Sequence, residues 1–367
     1  MQNPGKRRRG FEDYEKYWKV TLAFTDIDSK KFIGTLRIIK NFIDENNAHL
    51  QGAYSPELYK ELQVKVNDFN PMFPTSIRKS INQFVKLGFV NSGGRGYHSD
   101  LEDFLNAKTD RRRQTIFSKI VYENSSFLSS WKTELSVKGH IEFLIKTLEQ
   151  TKKLCKEDIL GLMLVNINEY EKGFLNRTEL DEFVDKTEDS NFLDRKYNQL
   201  SHFRSILKRL DGLRFETYYP HGECLLFEDY ADDEFKDRWK HEGRDPYLQN
   251  RYRALLIDEA FENLNKVACM VSGVQCSLIA SHIKPFSSPS TTKEEAYDQN
   301  NGLLLSIEID KFFDKGKISF NDNGTIILSK RLPENEKNSL EKLHIPDVFL
   351  NRRRLEYMNF HRKEIFK

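Results

Sequence analysis

Between Ala268 and Phe320 the chain sets out a series of short features in a fixed order, and that order limits what the region can fold into. An apolar run, Leu278-Ile279-Ala280, leads into Ser281 and His282, and Pro285 stops it. A long polar loop follows, then Asn300-Asn301-Gly302 and the apolar Leu303-Leu304-Leu305. Asp310 and Asp314 come next, four positions apart, a spacing that sets both carboxylates on one face of a helix. The pattern over 268–316 predicts strand, turn, strand, long loop and short helix. A histidine would then be held rigidly at a strand end, near a helix that carries acids.

Hydrolysis of a phosphodiester needs such a set. A base takes a proton from water, and a divalent cation neutralises charge at the phosphate and the leaving oxygen. His282 offers the base. Asp310 and Asp314 offer hard oxygen donors suited to magnesium or manganese. Asn301 can bond backbone across the long loop and so orient the histidine. Each part alone has a plainer meaning. A lone histidine on an apolar strand is more often a core or surface residue, a carboxylate pair one turn apart is usually a solvated face, and Asn-Gly is usually a turn. The specificity lies in their order and spacing.

On these residues the region resembles the HNH endonuclease family. The matching segments are Cys269 to Gly273, Ala280 to Pro285, Asn301 to Leu305, and Asp310 to Gly316 followed by Ile318-Ser319-Phe320. The resemblance implies a ββα-metal finger with His282 as general base, Asn301 as the middle asparagine and Asp310 at the third, metal-holding position. It departs from many relatives at Ser281, where they carry a metal-binding Asp or His. Asp310 stands where His is frequent, which makes the site harder and favours Mg2+, with Mn2+ able to substitute. Asp310, Asp314 and Ser281 are the candidate metal ligands. Cys155, Cys224, Cys269 and Cys276 form no CxxC pair, so no structural zinc is expected and all four read as reduced thiols.

The rest of the chain must supply targeting. Length suggests two or three domains, read as 1–110, 111–235 and 236–367. Residues 1–10 read as a basic arm, and 11–47 as mostly helical with a break at 26–29. Ser55-Pro56 and Pro74-Thr75-Ser76 open two helices, and Asn91 to Gly96 forms a glycine-rich tip after Leu87 to Val90. This is the order of a winged helix-turn-helix. Arg78, Lys79, Asn82, Gln83 and Lys86 would then read or flank bases, with Arg95 on the wing. Arg111, Arg112 and Arg113 form a further basic cluster, and Lys284 is a candidate phosphate contact. Residues 138–230 repeat the theme with helices and a hairpin around Pro220-His221-Gly222, while 231–246 reads as a linker. The expected fold is α+β: a mainly helical DNA-recognition region, as winged units or one larger helical domain, followed by the finger.

Net charge is only +2, so global electrostatics do not announce a nucleic-acid partner, although arginine triplets at 7–9, 111–113 and 352–354 concentrate charge locally. No apolar run approaches a membrane span and no secretory signal is seen, so a cytoplasmic place is expected. A chain with this layout is similar to Type II restriction endonucleases. That resemblance implies site-specific cleavage of double-stranded DNA to 5′ phosphates, a homodimer, and a cognate DNA methyltransferase as genetic partner. Two alternatives remain: an endonuclease that requires a methylated or hydroxymethylated base, and a DNA-binding regulator whose HNH site has degenerated, suggested by Ser281.

Overall fold

The structure is a computed structural model that describes residues 17–133, 137–189, 192–220, 222–228 and 244–367. The chain divides into two compact units, Met1–Tyr230 and Ala231–Lys367. The expected basic arm at 1–10, most of the expected linker and the hairpin-tip His221 lie outside the described residues.

The first unit is mainly helical. Residues 17–29 are not helical, and α1 (Lys30–Leu50) starts at an N-cap, Ser29, whose hydroxyl accepts from Phe32 N. Helices α2 (Pro56–Phe69) and α3 (Pro74–Lys86) follow, both with proline in the first turn, which costs no hydrogen bond there. Next come α4 (Leu101–Leu105), α5 (Asp110–Asn124), α6 (His140–Thr151), α7 (Lys156–Leu162), α8 (Arg177–Asp189) and α9 (Phe192–Leu207). At the start of α8, Asn176 and Glu179 cap each other's backbone amides at 3.0 and 2.8 Å. Phe32, Phe84, Phe89, Phe104 and Phe117 meet edge to face or tilted and fill the centre of the first helices.

The expected wing is not built as a two-stranded hairpin. Only an isolated bridge, Val90 to Tyr97, spans the glycine tip, and Ser92–Gly94 is a 3-10 turn. The later hairpin does form, as β1 (Leu213–Tyr218) antiparallel to β2 (Gly222–Phe227). A pair of backbone bonds, Leu154 N to Leu225 O and Leu225 N to Leu154 O, docks the start of α7 on β2. Cys155 and Cys224 meet beside it as a disulfide. This corrects the reading of four reduced thiols. The partners are 69 residues apart in sequence, and only the docking of α7 on the hairpin makes them neighbours.

In the second unit α10 (Pro246–Leu264) lies against a two-stranded antiparallel sheet, β3 (Leu278–His282) with β4 (Gly302–Ser306). Helix α11 (Lys293–Ala296) sits in the loop between the strands, and α12 (Ile307–Asp314) follows β4 directly. The order is therefore strand, long loop, strand, helix. The region Cys269–Gly273 is a turn, closed by Gly273 N to Cys269 O, and not the first strand expected there. The partner of β3 comes after the loop because Leu303, Leu304 and Leu305 bury fully against α10 and α12. A small sheet, β5 (Ile318–Phe320) with β6 (Ile326–Leu328), then α13 (Glu334–Leu340) and α14 (Arg352–Phe360), complete the unit. Among the described residues no helix is long and apolar enough to cross a membrane.

Candidate active site

His282 ends β3, and Gly302 begins β4 directly opposite. The two strands meet over Tyr252 of α10. Its hydroxyl lies 3.1 Å from both Ser281 O and Asn301 O, and its ring stacks on the His282 imidazole at 4.5 Å and 12°. A Cβ at position 302 would fall 2.2 Å from the Tyr252 hydroxyl and 2.8 Å from Leu256 Cδ1, so glycine is required there by close approach. Gly302→Ala is expected to cost about 1–3 kcal/mol and to slow cleavage together with it. A thermal melt that matches the wild type would remove this packing role.

The histidine is fixed at its far nitrogen. Nε2 lies 2.9 Å from Ala296 O, and a carbonyl only accepts, so Nε2 carries the hydrogen. Nδ1 keeps its lone pair and has no partner among the described residues. Burial first, then the charge of Arg244, pushes the imidazole down to about 4, which keeps it neutral across the ordinary range.

Asn301 is fully buried behind the histidine. Its Oδ1 accepts from Lys284 N at 2.7 Å, while Nδ2 donates to Lys284 O and Glu295 O at 3.0 and 2.9 Å. One side chain thus ties both ends of the long loop to the start of β4. Ala296, which holds His282, is the residue after Glu295, so this tie also fixes the carbonyl that sets the tautomer.

A cleft of about 390 Å³ opens beside His282, and Ser281, Asp310 and Asp314 share its lining. The structure therefore gathers His282 with all three candidate metal ligands, while Asn301 stands behind them. Arg244, Gln249 and Arg253 line the same cleft. Sequence reasoning missed these three, as it missed Tyr252. Gln249, Tyr252 and Arg253 lie three and four residues apart on α10, a one-face spacing that was readable in the sequence. The Ser281 hydroxyl is buried, 2% exposed, and has no hydrogen-bond partner. An orphaned oxygen on a residue that shares a cleft lining with two carboxylates suits a hard divalent cation. Among the described residues no group of three or more His, Cys, Asp or Glu is arranged to hold a metal.

The expected DNA-reading face of α3 is corrected by burial. Gln83 is enclosed, and its Oε1 accepts from Ala23 N and Phe24 N, both at 2.9 Å. Lys86 buries its ammonium against Lys19 O and Phe127 O at 2.8 and 3.1 Å, and desolvation lowers it to about 7. Asn82 Oδ1 accepts from Trp131 N. These three brace the fold because neighbouring segments close over the helix from Ser80 onward. Arg78 and Lys79, nearer its start, stay exposed, as do Arg95 and Arg111. Arg112 is half-buried. Arg113 is tied to Asp28, Asp110 and Ala107 O at 2.9 Å each. Lys284 is spent on its own loop, bonded to Ser290 O at 2.8 Å and Glu295 at 2.6 Å, and so is not an open phosphate contact.

Residues 269–321 match the family model of the HNH endonucleases. The second unit thus contains an HNH endonuclease domain, which supports a nuclease; nucleases of this family generally depend on a divalent metal. No curated protein matches the chain.

Proposed function

We propose that the chain is a Type II restriction endonuclease that cuts double-stranded DNA at specific sites and leaves 5′ phosphates. The observation that carries this reading is His282: a neutral imidazole with Nε2 bonded to Ala296 O, sharing one cleft with Asp310, Asp314 and Ser281. In the proposed reaction Nδ1 takes the proton from the attacking water. The Tyr252 ring and the Ala296 carbonyl hold the imidazole in position while it does so. Asp310, with Ser281 and Asp314, would hold Mg2+ or Mn2+. When bound, that cation neutralises charge on the phosphate and eases loss of a proton from water. Arg244 and Arg253 bring guanidinium charge to the same cleft, where a phosphate would lie.

The first unit supports targeting through exposed Arg78, Lys79, Arg95 and Arg111, which suit backbone contact more than base reading. One finger per chain attacks one strand, so a double-strand break calls for a homodimer or sequential nicking. A cognate methyltransferase would protect host DNA. The purified chain is expected to cut unmethylated phage DNA into discrete bands with magnesium. A smear would overturn site specificity, and no cutting with magnesium or manganese would favour the DNA-binding regulator.

A second reading has one observation behind it. The first unit has an open surface groove, of about 760 Å³, lined by Phe24, Met72 and the exposed Phe73 with Asn67, Lys79 and His202. Apolar walls with a few polar groups suit an extruded base, so cutting confined to methylated or hydroxymethylated DNA would replace the first reading with a modification-dependent enzyme.

A further inference from the structure

We infer that Gln249 supplies an oxygen ligand to the cation in the His282 cleft, working with Ser281 and Asp310; this rests on the nuclease reading above. A hard cation such as Mg2+ or Mn2+ seeks about six oxygens, several of them from water and substrate. The cleft offers two carboxylates, and His282 is committed to proton transfer. Neutral protein oxygens must make up part of the remainder. The lining holds two without partners. The Gln249 Oε1 and Ser281 Oγ atoms are buried and accept no hydrogen bond, in residues only 3% and 2% exposed. A buried polar atom left unsatisfied is rare in a folded protein and marks an absent partner or stored strain. Both residues line the cleft that Asp310 and Asp314 also line, and two orphaned oxygens on shared lining residues point to one guest.

Position supports the assignment. Gln249 lies in the first turn of α10, three residues before Tyr252, so the helix face that shelves the histidine also carries the amide. Helix-borne ligands are held more rigidly than loop-borne ones. A neutral amide adds an oxygen without adding negative charge against an incoming phosphate. Gln249 also lies outside the residues that match the family, so this ligand would be particular to chains with this helix.

The amide has a second possible use. A half-turn exchanges its oxygen and nitrogen, and the nitrogen would donate to a DNA phosphate. Substitution separates the two. Mn2+ is titrated into the full chain without DNA and followed by electron paramagnetic resonance, for wild type, Gln249→Leu, Gln249→Glu, Ser281→Ala and Asp310→Ala. Gln249→Leu and Ser281→Ala are expected to weaken Mn2+ binding by about 10-fold or more, and Gln249→Glu to match or exceed wild type. In metal-free protein the first two should melt no lower than wild type, or about 2–4 °C higher, since each removes an orphaned polar atom. Wild-type Mn2+ affinity in Gln249→Leu, with loss in Asp310→Ala, overturns the inference and leaves the nuclease reading standing. Unchanged affinity in Asp310→Ala as well overturns both. Weaker DNA binding by Gln249→Glu, with Mn2+ affinity at wild type in both Gln249 variants, makes the residue a phosphate contact and also overturns it.

Discussion

His282→Ala is expected to slow DNA cleavage by about 10²–10⁴-fold while leaving DNA affinity near wild type, and to lower the melting temperature because the buried ring that packs on Tyr252 is lost. The size follows from the role: one positioned base is lost, while the cleft and its carboxylates remain. The Tyr252 hydroxyl keeps its bonds to Ser281 O and Asn301 O in the variant, so the strand pair should stand. Cleavage at the wild-type rate would remove His282 from the mechanism. The pH profile gives an independent reading. The neutral imidazole is the active form, and burial with Arg244 holds its protonation near 4. Activity is therefore expected to persist as pH falls below 6, and to drop only near 4. Arg244→Ala should move that acidic limb upward, because a positive neighbour that disfavours the imidazolium is gone. An acidic limb at the ordinary histidine value of about 6.5 in the wild type would count against the buried environment described here.

Stability should follow the same groups in the opposite sense to a salt-bridged histidine. His140, His282 and His361 are all lowered from 6.5 to about 4, chiefly by burial. Between those values the unfolded chain binds protons that the folded chain refuses. Stability should thus be retained above about 6.5 and decline as pH falls toward 4.

The largest expected loss of stability lies behind the cleft. Arg354, fully buried, donates from Nη1 and Nη2 to the two oxygens of Glu259, each at 2.8 Å. The same guanidinium also bonds Phe349 O at 2.7 Å and Gln299 O at 3.1 Å. Glu259→Ala strands a buried cation and is expected to cost about 3–5 kcal/mol. Pairing it with Arg354→Met should recover much of that, since an apolar pair carries no desolvation penalty. Gln299 lies two residues before Asn301, so the single variant should also loosen the loop and cut more slowly at temperatures where it remains folded. Chemical denaturation of the three proteins checks the order; equal stability of Glu259→Ala and wild type would mean the pair contributes nothing.

Local signals in the sequence predicted the parts that local chemistry decides. The openings of α2 at Ser55-Pro56 and of α3 at Pro74 follow from residues within a turn of one another. The His282, Asn301 and Asp310 spacing belongs here too, because His282 ends a strand, Asn301 ends a 3-10 turn and Asp310 lies one turn into a short helix. The misreadings come from distance. Gln83 and Lys86 look like a polar reading face until Ala23, Phe24 and Phe127 close over them from far along the chain. The Cys155–Cys224 bridge depends on a hairpin docking against α7. The apolar residues around Met270 and those at 303–305 are both buried, and the turn closed from Gly273 N to Cys269 O leaves only the second set to pair with β3. The cleft's Gln249 and Tyr252 are hidden for another reason: they sit before the recognisable pattern, on a helix outside the matched residues.

The family match spans 269–321, yet the histidine's shelf is at 252, the orphaned amide at 249, and the ion pair behind the loop joins 259 to 354. Transplanting the matched stretch into another protein would carry the reactive groups and abandon their scaffold. The smallest portable cutter from this chain is therefore the span from about Arg244 through Ile365, since His361 packs on Phe313 of α12, and a graft trimmed to the pattern alone should arrive with a wandering imidazole.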